Sequence, residues 1–183
     1  MTRDHIYIPN QAPGDMDYAT AGGEWTRLPI GSSTQVLVVT NGIPTWTTIG
    51  WTTYAPTVKQ SGTLQTVTVT RARYSQINKI IHFVCMLTVS NATGAVAGND
   101  IEIGLPVSAS AAGVTNFDII GGGHIFDSSA GLTYRGLAFA TAAGFCKLQP
   151  TNDTANGFLG TIQLTAALAA SDVLRVHGTY EVD

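Results

Sequence analysis

The chain has 183 residues, enough for one sizeable domain or for one domain plus an appendage. Hydrophobic residues make up 44% of it but charged residues only 11%, under half of the roughly 25% usual in globular domains, and the net charge is −3 at pH 7. That balance offers no basic footprint for nucleic acid and no polybasic run for an anionic membrane, and 20 Gly with 7 Pro and abundant Thr exclude a helical bundle or coiled coil.

Residues 1–30 read as an irregular arm. Pro9, Pro13, Pro29, Gly14, Gly22 and Gly23 break any periodicity, and Asp4, Asp15, Asp17 and Glu24 make the arm acidic. It has too few apolar residues for a core of its own, so it is expected to lie on a partner surface or a symmetry mate, or to stay mobile. Its first residues lack the apolar stretch of a signal peptide, and no window reaches 18 uninterrupted apolar residues. We therefore expect a protein folded in a reducing cytoplasm, without membrane insertion.

Residues 31–50 change character. Gln35–Thr40 is a short strand, Asn41-Gly42 is a hairpin-turn dipeptide, and Ile43–Ile49 is the return arm, which Pro44 confines to a sheet edge. A lone hairpin is marginal in water. Copies of the chain are expected to bury it, with Val36, Val38, Ile43 and Trp46 forming the contact.

From Trp51 onward short strands follow one another: Leu64–Tyr74, Lys79–Ser90, Asp100–Pro106, Thr115–Ile120, Leu132–Ala140, Gly144–Gln149, Gly160–Thr165 and Val173–Val182. Turn clusters separate them, Gly121–Gly123, Asp127–Gly131 and Asn152–Gly157 among them. Thr165–Asp172 is a loop or a single helical turn. The spacing predicts an all-β fold, an antiparallel β-sandwich or jelly roll. Ile80–Leu87 is expected to be its central strand, buried on both faces around Phe83 and Cys85.

Chemistry-bearing patterns are few. His5, His82, His124 and His177 show no zinc-site spacing, and Cys85 and Cys146 read as buried thiols rather than a disulfide framework. The carboxylates Glu102, Asp118, Asp127, Asp153, Asp172 and Glu181 are scattered singly, without a glycosidase signature. Asp172 stands at a turn, where its side chain suits backbone amides. Gly121-Gly122-Gly123-His124 lacks the Lys and helix of a phosphate loop. Asn91-Ala92-Thr93 and Asn152-Asp153-Thr154 match the glycosylation pattern by chance. No cofactor and no metal is expected. Trp25, Trp46, Trp51 and Tyr54 either pack at a stem junction or stack on sugar rings.

Gly31, Gln35, Val36, Leu37, Val39, Gly42, Pro44 and Trp46 resemble a segment that recurs in the tail-fibre and neck-like stems of tailed bacteriophages. Trp51, Tyr54 and Pro56, then Ala72, Arg73 and Tyr74, then Ile103, Leu105, Pro106 and Val107, and finally Gly178 and Tyr180, are similar to the C-terminal β domain of small phage virion proteins. One departure is Asn78, which stands near the position where a Gly usually follows the Arg-Tyr strand. The resemblance covers about residues 31–183 and lies at the level of the fold.

It implies a homotrimeric structural protein of the virion, assembled in the host cytoplasm: a tail fibre, or a head fibre or decoration protein. Residues 1–30 would anchor it to another virion protein, residues 31–50 would form a trimerisation collar, and residues 51–183 a jelly-roll-like domain. Contact with host glycans would fall on loops distal to the stem, with His124, Phe126, Asp127, Asn152, Asn156 and Phe158 as candidates. A glycan-degrading enzyme, marked by paired carboxylates in a cleft, and a free carbohydrate-binding module, marked by a monomeric state, are the competing classes.

Overall fold

The computed structural model describes residues 10–97, 99–109, 118–141, 144–150 and 167–183. Asn152, Asn156, Phe158 and the expected strand Gly160–Thr165 lie outside the described residues. The chain divides into two compact units, Met1–Gly50 and Trp51–Asp183.

The first unit holds two hairpins. Strands β1 (Met16–Ala19) and β2 (Trp25–Leu28) pair antiparallel in the segment read from the sequence as irregular. Their glycines and prolines sit at the turns and ends, which is why periodicity failed to reveal strands of four residues. Asp15 fixes this hairpin: its carboxylate accepts from the Ala12 and Ile30 amides, both at 2.7 Å, and faces Arg27 at 3.5 Å. Those amides hold its pKa below the usual carboxylate value, with Arg27 adding to the effect. The second hairpin pairs β3 (Gln35–Thr40) with β4 (Ile43–Thr48) through Asn41 and Gly42, both at positive φ as a two-residue turn requires.

The register of that hairpin corrects the expected collar. Val36 faces Thr47, Val38 faces Thr45 and Thr40 faces Ile43, so Val36, Val38 and Ile43 share one face. Trp46 pairs with Leu37 and stands on the opposite face with Val39. The four residues therefore cannot form a single contact. Trp46 is also half-buried within its own chain: its indole lies against Gly31, and Nε1 donates to the Pro29 carbonyl at 2.8 Å. Val39 remains 73% exposed.

The second unit is all-β and antiparallel. It comprises β5 (Thr52–Thr53), β6 (Val58–Gln60), β7 (Thr63–Ile77), β8 (Ile80–Asn91), β9 (Ile101–Gly104), β10 (Ile119–Asp127), β11 (Leu132–Ala140), β12 (Phe145–Pro150) and β13 (Val173–Glu181). The neighbour order is β7-β6-β9-β12-β11-β10-β13-β8, and β8 pairs back onto β7. Eight strands thus close into one barrel, where the sequence suggested two sheets of a sandwich. The fifteen residues of β7 make closure possible: Thr63–Gln65 pair with β6, and Thr66–Ile77 pair with β8. The β7–β8 turn places Asn78 at φ +54°, a conformation Asn tolerates in the place of Gly. β5 adds a short ladder to the far end of β7.

Two Greek keys build the barrel. β6, β7 and β8 follow as hairpins, and β9 returns beside β6. β10, β11 and β12 follow likewise, and β13 returns beside β10. The β8–β13 and β9–β12 ladders join the two keys.

The interior is apolar. On β8 every odd residue from Ile81 to Val89 is buried, while even residues are half-buried or exposed. The strand is therefore buried on one face only; its outer face carries Val84 and Met86, which gave the continuous apolar run in the sequence. Phe83 packs edge-on against Tyr180 at 5.8 Å, and the Tyr180 hydroxyl donates to the Val107 carbonyl at 2.6 Å. Burial raises the thiols of Cys85 and Cys146 to about 11 and about 12, so both are neutral packing groups rather than nucleophiles.

Candidate functional site: a cationic row across five strands

The glycine run Gly121–Gly123 lies inside β10 and is not a turn. Gly121 stands directly opposite Gly178 of β13, and a Cβ there would run into the His177 backbone carbonyl. A Cβ on Gly178 would reach 2.8 Å from the Phe83 ring. Glycine at both positions lets the two strands approach while Phe83 fills the space beneath.

This placement corrects the expected loop contacts. His124 and Phe126 are on a strand, and both point outward, since the intervening Ile125 is buried. Phe126 is 38% exposed. Asp127 points inward and is consumed by the following turn. One carboxylate oxygen accepts from the Ser129 hydroxyl at 2.7 Å, the Ser129 amide at 2.9 Å and the Ala130 amide at 3.0 Å. These bonds, the Ser129 hydroxyl first, lower its pKa. Asp172 braces the adjacent loop segments by the same kind of hydrogen bond, accepting from the Ser128 amide at 2.9 Å and the Ala169 amide at 2.8 Å. Both acids brace loops.

Outward-facing side chains from five strands fall into register around His124. Arg71 of β7 faces Met86 of β8; Met86 faces Arg175 of β13; Arg175 faces His124 of β10; and His124 faces Arg135 of β11. Directly opposed residues have Cβ atoms about 4.5–5.5 Å apart. The next row adds Arg73, Val84 and His177. All of these side chains except Arg73 line an open groove of about 720 Å³, within the roughly 300–1,000 Å³ of small-ligand sites. Among the described residues, no carboxylate lines it. Arg73 is held apart from the row by stacking on Trp51, 4.5 Å from the ring centre.

A bulge aims Arg71. The ladder between β7 and β8 slips between Val69 and Arg71, leaving Thr70 unpaired. The extra residue reverses the parity of the strand, so Arg71 and Arg73 face out and Ala72 faces in, where it is buried.

Burial lowers the pKa of His124, and Arg175, Arg135 and His177 lower it further by charge repulsion.

Sequence reasoning reached His124 and Phe126 but not the arginines. Four of the chain's six arginines lie on this one face. The available signal was a charged residue at an outward position of each of three strands, Arg71-Ala72-Arg73, Arg135 and Arg175-Val176-His177. Only the pairing register brings them together. The low overall charge concealed a concentrated local one.

His82 is exposed and its Nδ1 lies 2.8 Å from the Thr179 hydroxyl. Among the described residues, no group of three His, Cys, Asp or Glu could hold a metal ion. Compared with family models, curated proteins and solved structures, the chain matches none.

Proposed function

We propose that the chain is a bacteriophage virion protein displayed at the particle surface as a homotrimer, a tail fibre or a head-fibre or decoration protein. Residues 1–30 engage another virion protein, residues 31–50 associate the copies, and the barrel domain contacts host-surface glycans. The observation that carries this reading is the β3–β4 hairpin. Val36, Leu37, Val39 and Ile43 are all exposed on a two-stranded ribbon, which a solitary chain in water would not favour. The sequence of that ribbon is the part that resembles phage stems.

The barrel supports the reading at the level of connectivity. Its eight antiparallel strands form two Greek keys, a connectivity that jelly rolls also use. Its buried side chains are mostly apolar, with Gln60 and Gln65 among the polar exceptions, whereas a transmembrane barrel of the porin type has a polar interior. A glycosidase would need two carboxylates roughly 5–9 Å apart across its cleft, and among the described residues the lining of the groove supplies none.

Antibodies raised against residues 51–183 should label the surface of intact particles. Deleting residues 1–30 should leave a folded protein that no longer incorporates. Normal incorporation of the truncated chain would assign the anchor to the barrel instead.

A further inference from the structure

We infer that the Pro29–Ile30 peptide is a coupling joint between the two hairpins of the first unit, so that whatever holds one hairpin in place tightens the other. The coupling stands on contacts within one chain. Only the partners it would serve rest on the proposed function: another virion protein for residues 1–30 and further copies for residues 31–50.

Three observations carry it. The first is that one peptide plane is gripped from both sides. The Ile30 amide donates to Asp15 Oδ1 at 2.7 Å, and the Pro29 carbonyl accepts from Trp46 Nε1 at 2.8 Å. The peptide is trans, so its N–H and C=O point in opposite directions and its atoms move as one rigid plate. Asp15 directly precedes β1 and Trp46 lies in β4, so each hairpin holds one edge of that plate.

The second is that both grips are packed. The Asp15 side chain is 3% exposed, and its other oxygen accepts from the Ala12 amide at 2.7 Å and faces Arg27 of β2 at 3.5 Å. On the opposite side the Trp46 ring lies over Gly31, where a Cβ would collide with it. Gly14, at φ +88°, leaves room in the same way for the Ile30 side chain.

The third is that both hairpins are small, with four residue pairs in β1–β2 and six in β3–β4. Two-stranded ribbons of that size are marginal in water, so a shared contact weighs heavily in the stability of each. A carboxylate on the Ile30 amide also polarises the peptide and makes its carbonyl a stronger acceptor for the indole, so the two bonds reinforce one another. Such coupling is reciprocal: a partner that fixes the first hairpin favours association through the second by the same factor as association favours engagement of the first.

The test is hydrogen exchange followed by NMR on the full-length protein, reading the Ala12 amide on one side of the joint and the Trp46 indole N–H on the other. Asp15→Asn sets an NH2 group against one of the two amide donors. It should speed exchange of the Trp46 indole, which Asp15 does not touch, by about two- to tenfold, the size of one net hydrogen bond. Trp46→Phe keeps a ring and removes the donor, and should speed exchange of the Ala12 amide by a similar factor. Gly31→Ala removes no hydrogen-bonding group and should speed both. If Asp15→Asn melts the first hairpin outright, Trp46→Phe and Gly31→Ala still test the joint from the other side. Faster exchange confined to the hairpin that carries the substitution would overturn the inference. A chain that sediments as a monomer would remove the copies from the account and leave these cross-effects in place. A trimeric mass without cross-effects would remove the joint and leave the proposed function standing.

Discussion

The two units of this protein use the same alternating Val/Thr vocabulary and reach opposite ends. In residues 51–183 eight strands close, and the core residues found among the described part of the chain lie there, from Val58 to Val182. In residues 10–50 four strands form two separate ribbons, with Trp25, Ile30, Val36, Leu37, Val39 and Ile43 all exposed. Alternation gives a strand an apolar face, but only closure or a partner buries it. The barrel satisfies that demand within one chain. Among the described residues, the hairpins leave apolar side chains exposed.

The largest expected effect falls where closure is tightest. Phe83→Ala empties the volume beneath Gly121 and Gly178, and should destabilise the barrel by about 3–5 kcal/mol in denaturant melts. A near-neutral result would mean that the barrel core tolerates loss as the open ribbons do, and the comparison would fail. Gly121→Ala probes the same junction from the other side. Its new methyl meets the His177 carbonyl, and a cost of about 1–3 kcal/mol is expected from overpacking. By contrast, Val39→Asp on the exposed ribbon should shift barrel melting by less than about 0.5 kcal/mol, because that position contributes nothing to the closed core.

A smaller effect is set by pH. The native pKa of His124 lies below its unfolded value, so the unfolded chain binds more protons. Stability should therefore fall as pH drops through about 6.5, and His124→Gln should reduce that slope in thermal melts. The opposite slope would mean that His124 has an acidic partner in the folded chain.

How far the sequence was legible follows the same divide. The alternation of Leu132–Ala140 and Val173–Val182 and the Asn41-Gly42 turn announce local structure, because each depends on neighbours in the chain. Closure depends on the length of β7 and the return of β8 to it, which no local pattern states. The glycine run misled for a related reason: Gly121–Gly123 is in a strand because β13 comes too close for side chains, a tertiary cause. The cationic row was hidden twice. Its members are 104 positions apart between Arg71 and Arg175, and the bulge at Thr70 must first turn Arg71 outward. His124 and Phe126 stood out only by composition, and as a loop rather than a strand face.

The central claim is that the hairpin unit is an interface between copies while the barrel is self-sufficient. Sedimentation equilibrium of the full-length protein at micromolar concentration tests it most directly, with Val39→Asp beside the wild type. The account predicts three times the 19.2 kDa chain mass for the wild type, and dissociation without barrel unfolding for the variant. A wild-type protein that sediments as a single 19.2 kDa chain, with its hairpins intact, would contradict it.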